Sequence, residues 1–239
     1  MSENTSRVWL KRLELTGCMV VCAVVVCVVA ACSSMPPASD ADLEATRLVS
    51  EARIVLLNFM RDPNQMWIQQ NLNNARGVLI SPRILRAGFI VGGSGGRALF
   101  VARDGHTWAG PVFCDLLTAS VGFQAGVDVS EAVILVMTDK GLNSLLSPSF
   151  KIGVDVSIAV GPIGSGAKST IPADLVAFTR AKGLYGGVNL DGTVVKANPA
   201  WNEVFYGRPN ISPTDILIRK AVTNPEAVPL LADLNAATR

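Results

Sequence analysis

A chain of 239 residues with 49% hydrophobic and 17% charged residues can bury a sizeable core, as one large or two small domains, and sits at the apolar end of the globular range. Its formal net charge of +2 leaves no electrostatic footprint for a nucleic-acid partner. A single histidine, His106, excludes metal centres of the two- or three-histidine kind.

Much of the apolar excess lies at the N-terminus. Arg7, Lys11 and Arg12 precede an uncharged, valine-rich run from Leu15 to Ala31, the layout of an export signal with a basic start, an apolar middle and a small-residue exit. Residues 1–31 are therefore expected to be a signal peptide that is removed. The exit, Val29-Ala30-Ala31-Cys32, resembles the bacterial lipobox, in which small residues admit a peptidase and the cysteine thiol takes the lipid. A membrane-spanning anchor is the rival, because the run is nearly long enough to cross a bilayer. Residues 32–40 read as a polar tether behind a lipidated Cys32. Ser33, in place of an aspartate after the cysteine, favours the outer membrane facing the periplasm. Cys18, Cys22 and Cys27 leave with the signal, so Cys114 alone remains, which excludes a disulfide or a cysteine metal cluster within one mature chain. Cys114 sits in the apolar run VFCDLL and reads as an inert core thiol. Three bases and two acids fall within residues 1–31, so the remainder carries +1.

From residue 41 to 239 a single domain is expected. Asp40 to Met60 reads as a helix, with Ala45, Val49, Ala52, Leu56 and Phe59 at three- and four-residue spacing and a stop at Asp62-Pro63. Its polar side mixes acids with bases, which suits a helix packed on the domain rather than on a membrane surface. A shorter helix over Asn64–Leu72 turns Trp67 and Leu72 inward. Strands follow. Gly77 to Ile80 is expected to stop at Ser81-Pro82, with Ala87–Val91, Arg97–Arg103 and His106–Cys114 as hairpin elements. Strict alternation places Val121, Phe123, Ala125, Val127 and Val129 on the apolar side of one strand, and Ile152, Val154, Val156, Ile158 and Val160 on that of another. Ala132–Met137 reads as a fully apolar strand, Asp139–Leu146 as a short helix, and Leu184–Lys196 as a hairpin around Asp191-Gly192. Trp201–Tyr206 is a short helix, and Ser212-Pro213 and Asn224-Pro225 each set a cap before a proline at the first helical position. The order helix, strands, helices predicts an α+β fold: an antiparallel β-rich domain, sandwich or partly open barrel, with N-terminal and C-terminal helices.

Two glycine-rich stretches mimic catalytic loops. GPIGSGAKST, residues 161–170, inserts Ala167 between Gly166 and Lys168 and meets Pro172 where a phosphate-binding loop needs a helix. GGSGG, residues 92–96, contains the G-x-S-x-G of a nucleophile elbow and a dinucleotide-like spacing, but a strand-like ALFV follows, and His106 is the sole base on offer. Neither supports an enzyme, and no catalytic residue, metal ligand or cofactor is assigned.

The charge pattern is less ordinary. Pro63 to Arg103 contains no acid but carries Arg76, Arg83, Arg86, Arg97 and Arg103. Asp104 to Val160 reverses the balance, with six acids against Lys140 and Lys151. Arginine without lysine suits a bidentate grip on phosphate. Internal pairing with the acids that follow is the alternative.

The blocks ARGVLISPRILRAGFIVGGSGGRALFV, ASVGFQAGVDVSEAVILVMT, FKIGVDVSIAVG and KGLYGGVNLDG, closing with NPAWNEVFYGRPNISPTDIL, resemble the SYLF domain in its bacterial lipoprotein members, over roughly residues 40–220. The resemblance implies lipid binding. Eukaryotic members bind phosphoinositides and some bind actin, ligands that a periplasmic protein would not meet. The expectation is thus an envelope lipoprotein, covalently anchored at Cys32, that binds the headgroup of anionic membrane phospholipid or a related amphiphile, with Arg76, Arg83, Arg86, Arg97 and Lys168 as candidate contacts. A structural or partner-binding envelope protein without a lipid site is the second reading.

Overall fold

The structure, a computed structural model, describes residues 38–105, 107–161, 171–183 and 190–238, with side chains described for all but 38, 39, 89–91, 120–125, 182 and 183. Cys32, the signal-like run, His106, Lys168 and all but the first residue of GPIGSGAKST lie outside the described residues, as do residues 184–189 of the expected hairpin. The chain divides into two compact units, Met1–Ala41 and Asp42–Arg239, and both hydrophobic cores belong to the second. No helix among the described residues is long and apolar enough to cross a membrane.

Helix α1, Ala38–Arg61, buries Ala45, Val49, Ala52, Leu56 and Phe59, the stripe its periodicity demands. Asp62 ends it and caps the tight turn Pro63–Gln65 by accepting the Asn64 N–H at 2.9 Å. Helix α2, Met66–Asn71, turns Trp67 and Ile68 inward. Two long strands follow, β1 (Gly77–Asp104) and β2 (Thr107–Val136), paired antiparallel from Gly77 opposite Val136 to Asp104 opposite Thr107. After α3, Asp139–Leu146, come β3 (Ser149–Lys151), β4 (Ile158–Val160), β5 (Leu175–Gly183) and β6 (Val194–Ala197). Helices α4 (Pro199–Tyr206), α5 (Pro213–Leu217) and α6 (Val228–Ala237) close the chain.

The β1–β2 ribbon doubles back on itself. The Arg103 N–H donates to the Arg76 carbonyl at 2.8 Å and Ser81 Oγ to the Arg97 carbonyl at 2.8 Å, so the two halves of β1 lie side by side. The first part of β2 then pairs β6 and its last part pairs β5, with β3 beside β6 and β4 beside β5. The result is one curled, half-barrel sheet of eight strand segments in a mixed α+β fold. Of the two architectures expected, the single open sheet is the one formed, because every strand hydrogen-bonds into it. All pairs are antiparallel except β4 with β5.

Both faces of the sheet are covered. Val78, Ile80, Leu99, Val101, Val133 and Leu135 meet α1, α2, α4 and α6 on one face. Leu79, Phe100, Val112, Ile134 and Ala177 meet Leu145 of α3 and Ile216 and Leu217 of α5 on the other. Double coverage explains why Ala132–Val136 is apolar at every position. The caps read from sequence are present: Ser212 and Asp215 form a capping box, and Asn224 accepts the Glu226 N–H at 2.8 Å.

Four local expectations are corrected. Ser81-Pro82 does not end a strand; the register slips between Ser81 and Ile84 and β1 continues through the bulge, which releases the proline from ladder duty. GGSGG lies within β1 rather than in a hairpin turn. At the end of the 121–129 run the alternation holds but burial is inverted: Val127 is 61% exposed while Asp128 and Ser130 are buried, with Ser130 Oγ donating to Asp128 Oδ2 at 2.8 Å. The run Ile152–Val160 is broken by a turn in which Lys151 N–H donates to Asp155 Oδ2 at 2.6 Å, and Val154 and Val160 are exposed.

Candidate functional site

The acid-free arginines fall into two groups. Three are held by the fold. Arg76 Nε lies 3.1 Å from Asp139 Oδ1. Arg97 Nη1 lies 3.4 Å from Glu44 Oε2, and its guanidinium stacks 4.0 Å from the Trp201 ring centre. Arg103 Nη1 donates to the Asn73 carbonyl. Asp139, which answers Arg76 from helix α3, is one of the six acids that follow in sequence, whereas Glu44, which answers Arg97, comes from helix α1 upstream.

Arg83 and Arg86 lie on β1, not in a turn as their place after Ser81-Pro82 suggests. Arg86 is half-buried, opposite Asp128 in the ladder, and engaged in an interaction of its own. Arg83 is exposed and has no ion pair or side-chain hydrogen bond among the described residues. The structure therefore does not bring the four described candidates into one cluster.

What surrounds Arg83 was not legible as a site in the sequence. Helix α1 is fastened to the sheet by Arg97 near its start and by Arg180 near its end. The Arg180 guanidinium reaches Asp62 Oδ2 at 3.0 Å and Glu131 Oε2 at 3.7 Å, and lies 4.7 Å from the Phe59 ring centre. Beyond Glu131 the helix layer no longer covers the sheet: Leu85 is 50% and Val127 61% exposed, and Ala87, directly opposite Val127, is exposed as well. Arg83 thus stands beside an uncovered aliphatic surface.

Two buried groups, Cys114 and Tyr206, are held in their neutral forms. Burial, assisted by the neighbouring Asp115 carboxylate, pushes the Cys114 thiol up to about 12, so no thiolate nucleophile forms near neutral pH. Burial also raises the Tyr206 phenol, whose hydroxyl donates to the Pro111 carbonyl at 2.8 Å. Among the described residues, no group of three or more His, Cys, Asp or Glu side chains is placed to hold a metal ion.

Residues 117–237 match the profile of a family described as "Ysc84: Las17-binding protein actin regulator". The chain belongs to the Ysc84/SYLF family. Similar relatives include Protein YSC84 of Saccharomyces cerevisiae, 29% identical over 201 residues, covering 78% of this chain and 42% of the relative. LAS seventeen-binding protein 3 of the same yeast is 29% identical over 172 residues, covering 66% and 37%. Human SH3 domain-containing YSC84-like protein 1 is 28% identical over 183 residues, covering 74% and 53%. The chain thus spans about half the length of these Ysc84/SYLF relatives or less; the family description and the name of LAS seventeen-binding protein 3 are those of binding or regulatory proteins. No solved structure matches.

Proposed function

We propose that this Ysc84/SYLF chain is a binding module without catalytic activity, that its ligand is anionic phospholipid or a related amphiphile, and that it is held in the bacterial envelope by a lipid on Cys32. The observation that supports the ligand is Arg83, an exposed guanidinium without an ion pair among the described residues, beside the uncovered Leu85 and Val127. A cation next to exposed aliphatic surface is suited to a phosphate headgroup above an acyl boundary. Flotation of residues 38–239 with vesicles tests the ligand: binding to anionic but not neutral vesicles supports it, and indifference to both refutes it.

The second reading is a partner-binding envelope protein without a lipid site. It is favoured by the family description, which speaks of Las17 binding and actin regulation. The same flotation experiment separates the two.

Anchoring has its own test. Cys32→Ser should abolish palmitate labelling, because no other thiol lies near the exit at the same distance from the small pair Ala30-Ala31. Continued labelling, with retention in carbonate-washed membranes, would refute the anchor.

A further inference from the structure

On the face that carries the helix layer, directly opposed residues of the ladder form a row beyond the reach of the helices. Lys151 stands opposite Val194, Val194 opposite Leu117, and Leu117 opposite Gly95. Across the fold of β1, Gly96 packs on the backbone of Arg83 and Ile84, its Cβ position 2.5 Å from the Arg83 carbonyl oxygen. One step further along the two strands from that contact stand Leu85 and Gly95, and Leu85 is itself opposite Val129. Opposed residues share a face, so the row runs Lys151, Val194, Leu117, Gly95, Leu85, Val129. Leu117 is 55% exposed, and its Cδ2 lies 3.8 Å from the Cβ position of Gly95. Ala87 and Val127 form a second, shorter row next to it.

Three cations without an ion pair flank these rows. Arg83, Lys151 and Lys196 are exposed and have no ion pair among the described residues. Of the carboxylates nearby, Glu131 is paired with Arg180, while Asp115, opposite Lys196 in the ladder, accepts from Asn198 Nδ2 at 2.8 Å, Asp155 accepts the Lys151 N–H, and Asp191 has an interaction of its own. Aliphatic side chains at the centre with exposed cations that make no ion pair at the margin match the profile of a bilayer surface containing anionic lipid. A second copy is a poor occupant, because a two-fold contact would bring Arg83, Lys151 and Lys196 against their own kind.

We infer that this row is the face on which the domain lies at the bilayer surface, with Leu85, Leu117 and Val127 at the acyl boundary and Arg83, Lys151 and Lys196 at the phosphates. The inference rests on the anionic-phospholipid reading above and adds to it a defined surface and orientation.

The test uses the full chain with p-benzoylphenylalanine in place of Leu85, Leu117 or Val127, and in place of the exposed Glu226 as a control. Each protein is irradiated with vesicles of phosphatidylcholine and phosphatidylglycerol. Adducts heavier by one phospholipid are expected at the three row positions and at background level at the control. In parallel, Lys151→Gln and Lys196→Gln should each lower affinity for the same vesicles about fivefold, with unchanged thermal melting. Equal lipid adducts at Glu226, adducts of twice the chain mass, or full affinity in both lysine variants would overturn the assignment. If the unsubstituted residues 38–239 ignore anionic vesicles, the lipid reading itself fails; if they bind and the row positions give no lipid adduct, only this face is refuted.

Discussion

The Arg97 guanidinium lies 4.0 Å from the centre of the Trp201 ring, while its Nη1 reaches Glu44 Oε2 at 3.4 Å. One side chain of β1 thereby joins the start of α1 to α4. A half-exposed cation–π contact contributes about 0.5–1 kcal/mol. Arg97→Gln should therefore lower the melting temperature by a few degrees, about 2–4 °C per kcal/mol at this size, and leave vesicle affinity unchanged. Thermal denaturation and flotation on the same preparation check both halves of the expectation.

Arg83 should behave in the opposite way. Arg83→Gln is expected to leave melting unchanged and to weaken binding to anionic vesicles about fivefold at low salt, since a cation near a negative surface is worth about 1 kcal/mol. The loss should shrink as salt rises, because the attraction is screened over about 8–10 Å at physiological ionic strength. A titration of vesicle binding at increasing salt measures it. A drop in melting temperature with intact binding would assign Arg83 to the fold instead.

Gly96 and Gly95 are neighbours with different tolerances. A Cβ at Gly96 would sit 2.5 Å from the Arg83 carbonyl oxygen and 3.2 Å from Ile84 Cα, both backbone atoms. Gly96→Ala must push the two halves of β1 apart and should cost about 1–3 kcal/mol. Gly95→Ala meets nothing closer than 3.8 Å and should be nearly neutral. Urea denaturation of the pair measures the difference.

Asp174 ties three segments together. Its carboxylate accepts from Thr138 Oγ1 at 2.6 Å, from Ser157 N–H at 2.9 Å and Oγ at 2.8 Å, with Lys140 Nζ 3.5 Å away. These contacts, the Thr138 hydrogen bond foremost, hold its pKa down to about 2. A carboxylate lowered on folding contributes its full stability above its unfolded value, about 3.9, and loses it as pH falls from there through about 2. Asp174→Asn should reduce stability at neutral pH by about 1–3 kcal/mol and flatten the acid slope in that window. Asp215, held to about 2 by Ser212 and then Arg219, should preserve part of the slope. Urea midpoints between neutral pH and pH 3 report both effects.

The helices and their ends were determined by the sequence alone. The three- and four-residue spacing of Ala45, Val49, Ala52, Leu56 and Phe59, the stop at Asp62-Pro63, and the caps at Ser212 and Asn224 all appear where local chemistry places them. Each is satisfied within about a turn of chain, so no distant residue can overrule it. The α+β order and the apolar β2 core strand were legible for a related reason: a segment apolar at every position must be covered on both faces.

The candidate surface was decided by tertiary structure. Period-two alternation tells how side chains divide between two faces, but not which face a helix will cover or where that cover ends. Val127 and Leu85 stand exposed because the end of α1 is held at Arg180 through Asp62 and the helix extends no further along the sheet, while Asp128 and Ser130 are buried on the opposite face. The partners of Arg76 and Arg97 lie on helices brought over the sheet from 63 residues downstream and 53 residues upstream; Asp139 is among the six acids that the charge count offered, but the count does not say which arginine meets it, and Glu44 lies outside it. Among the described residues Arg83 has no such partner: β1 carries it past Pro82 through a bulge, and that shift in register is set by the strand beside it rather than by its own neighbours in sequence.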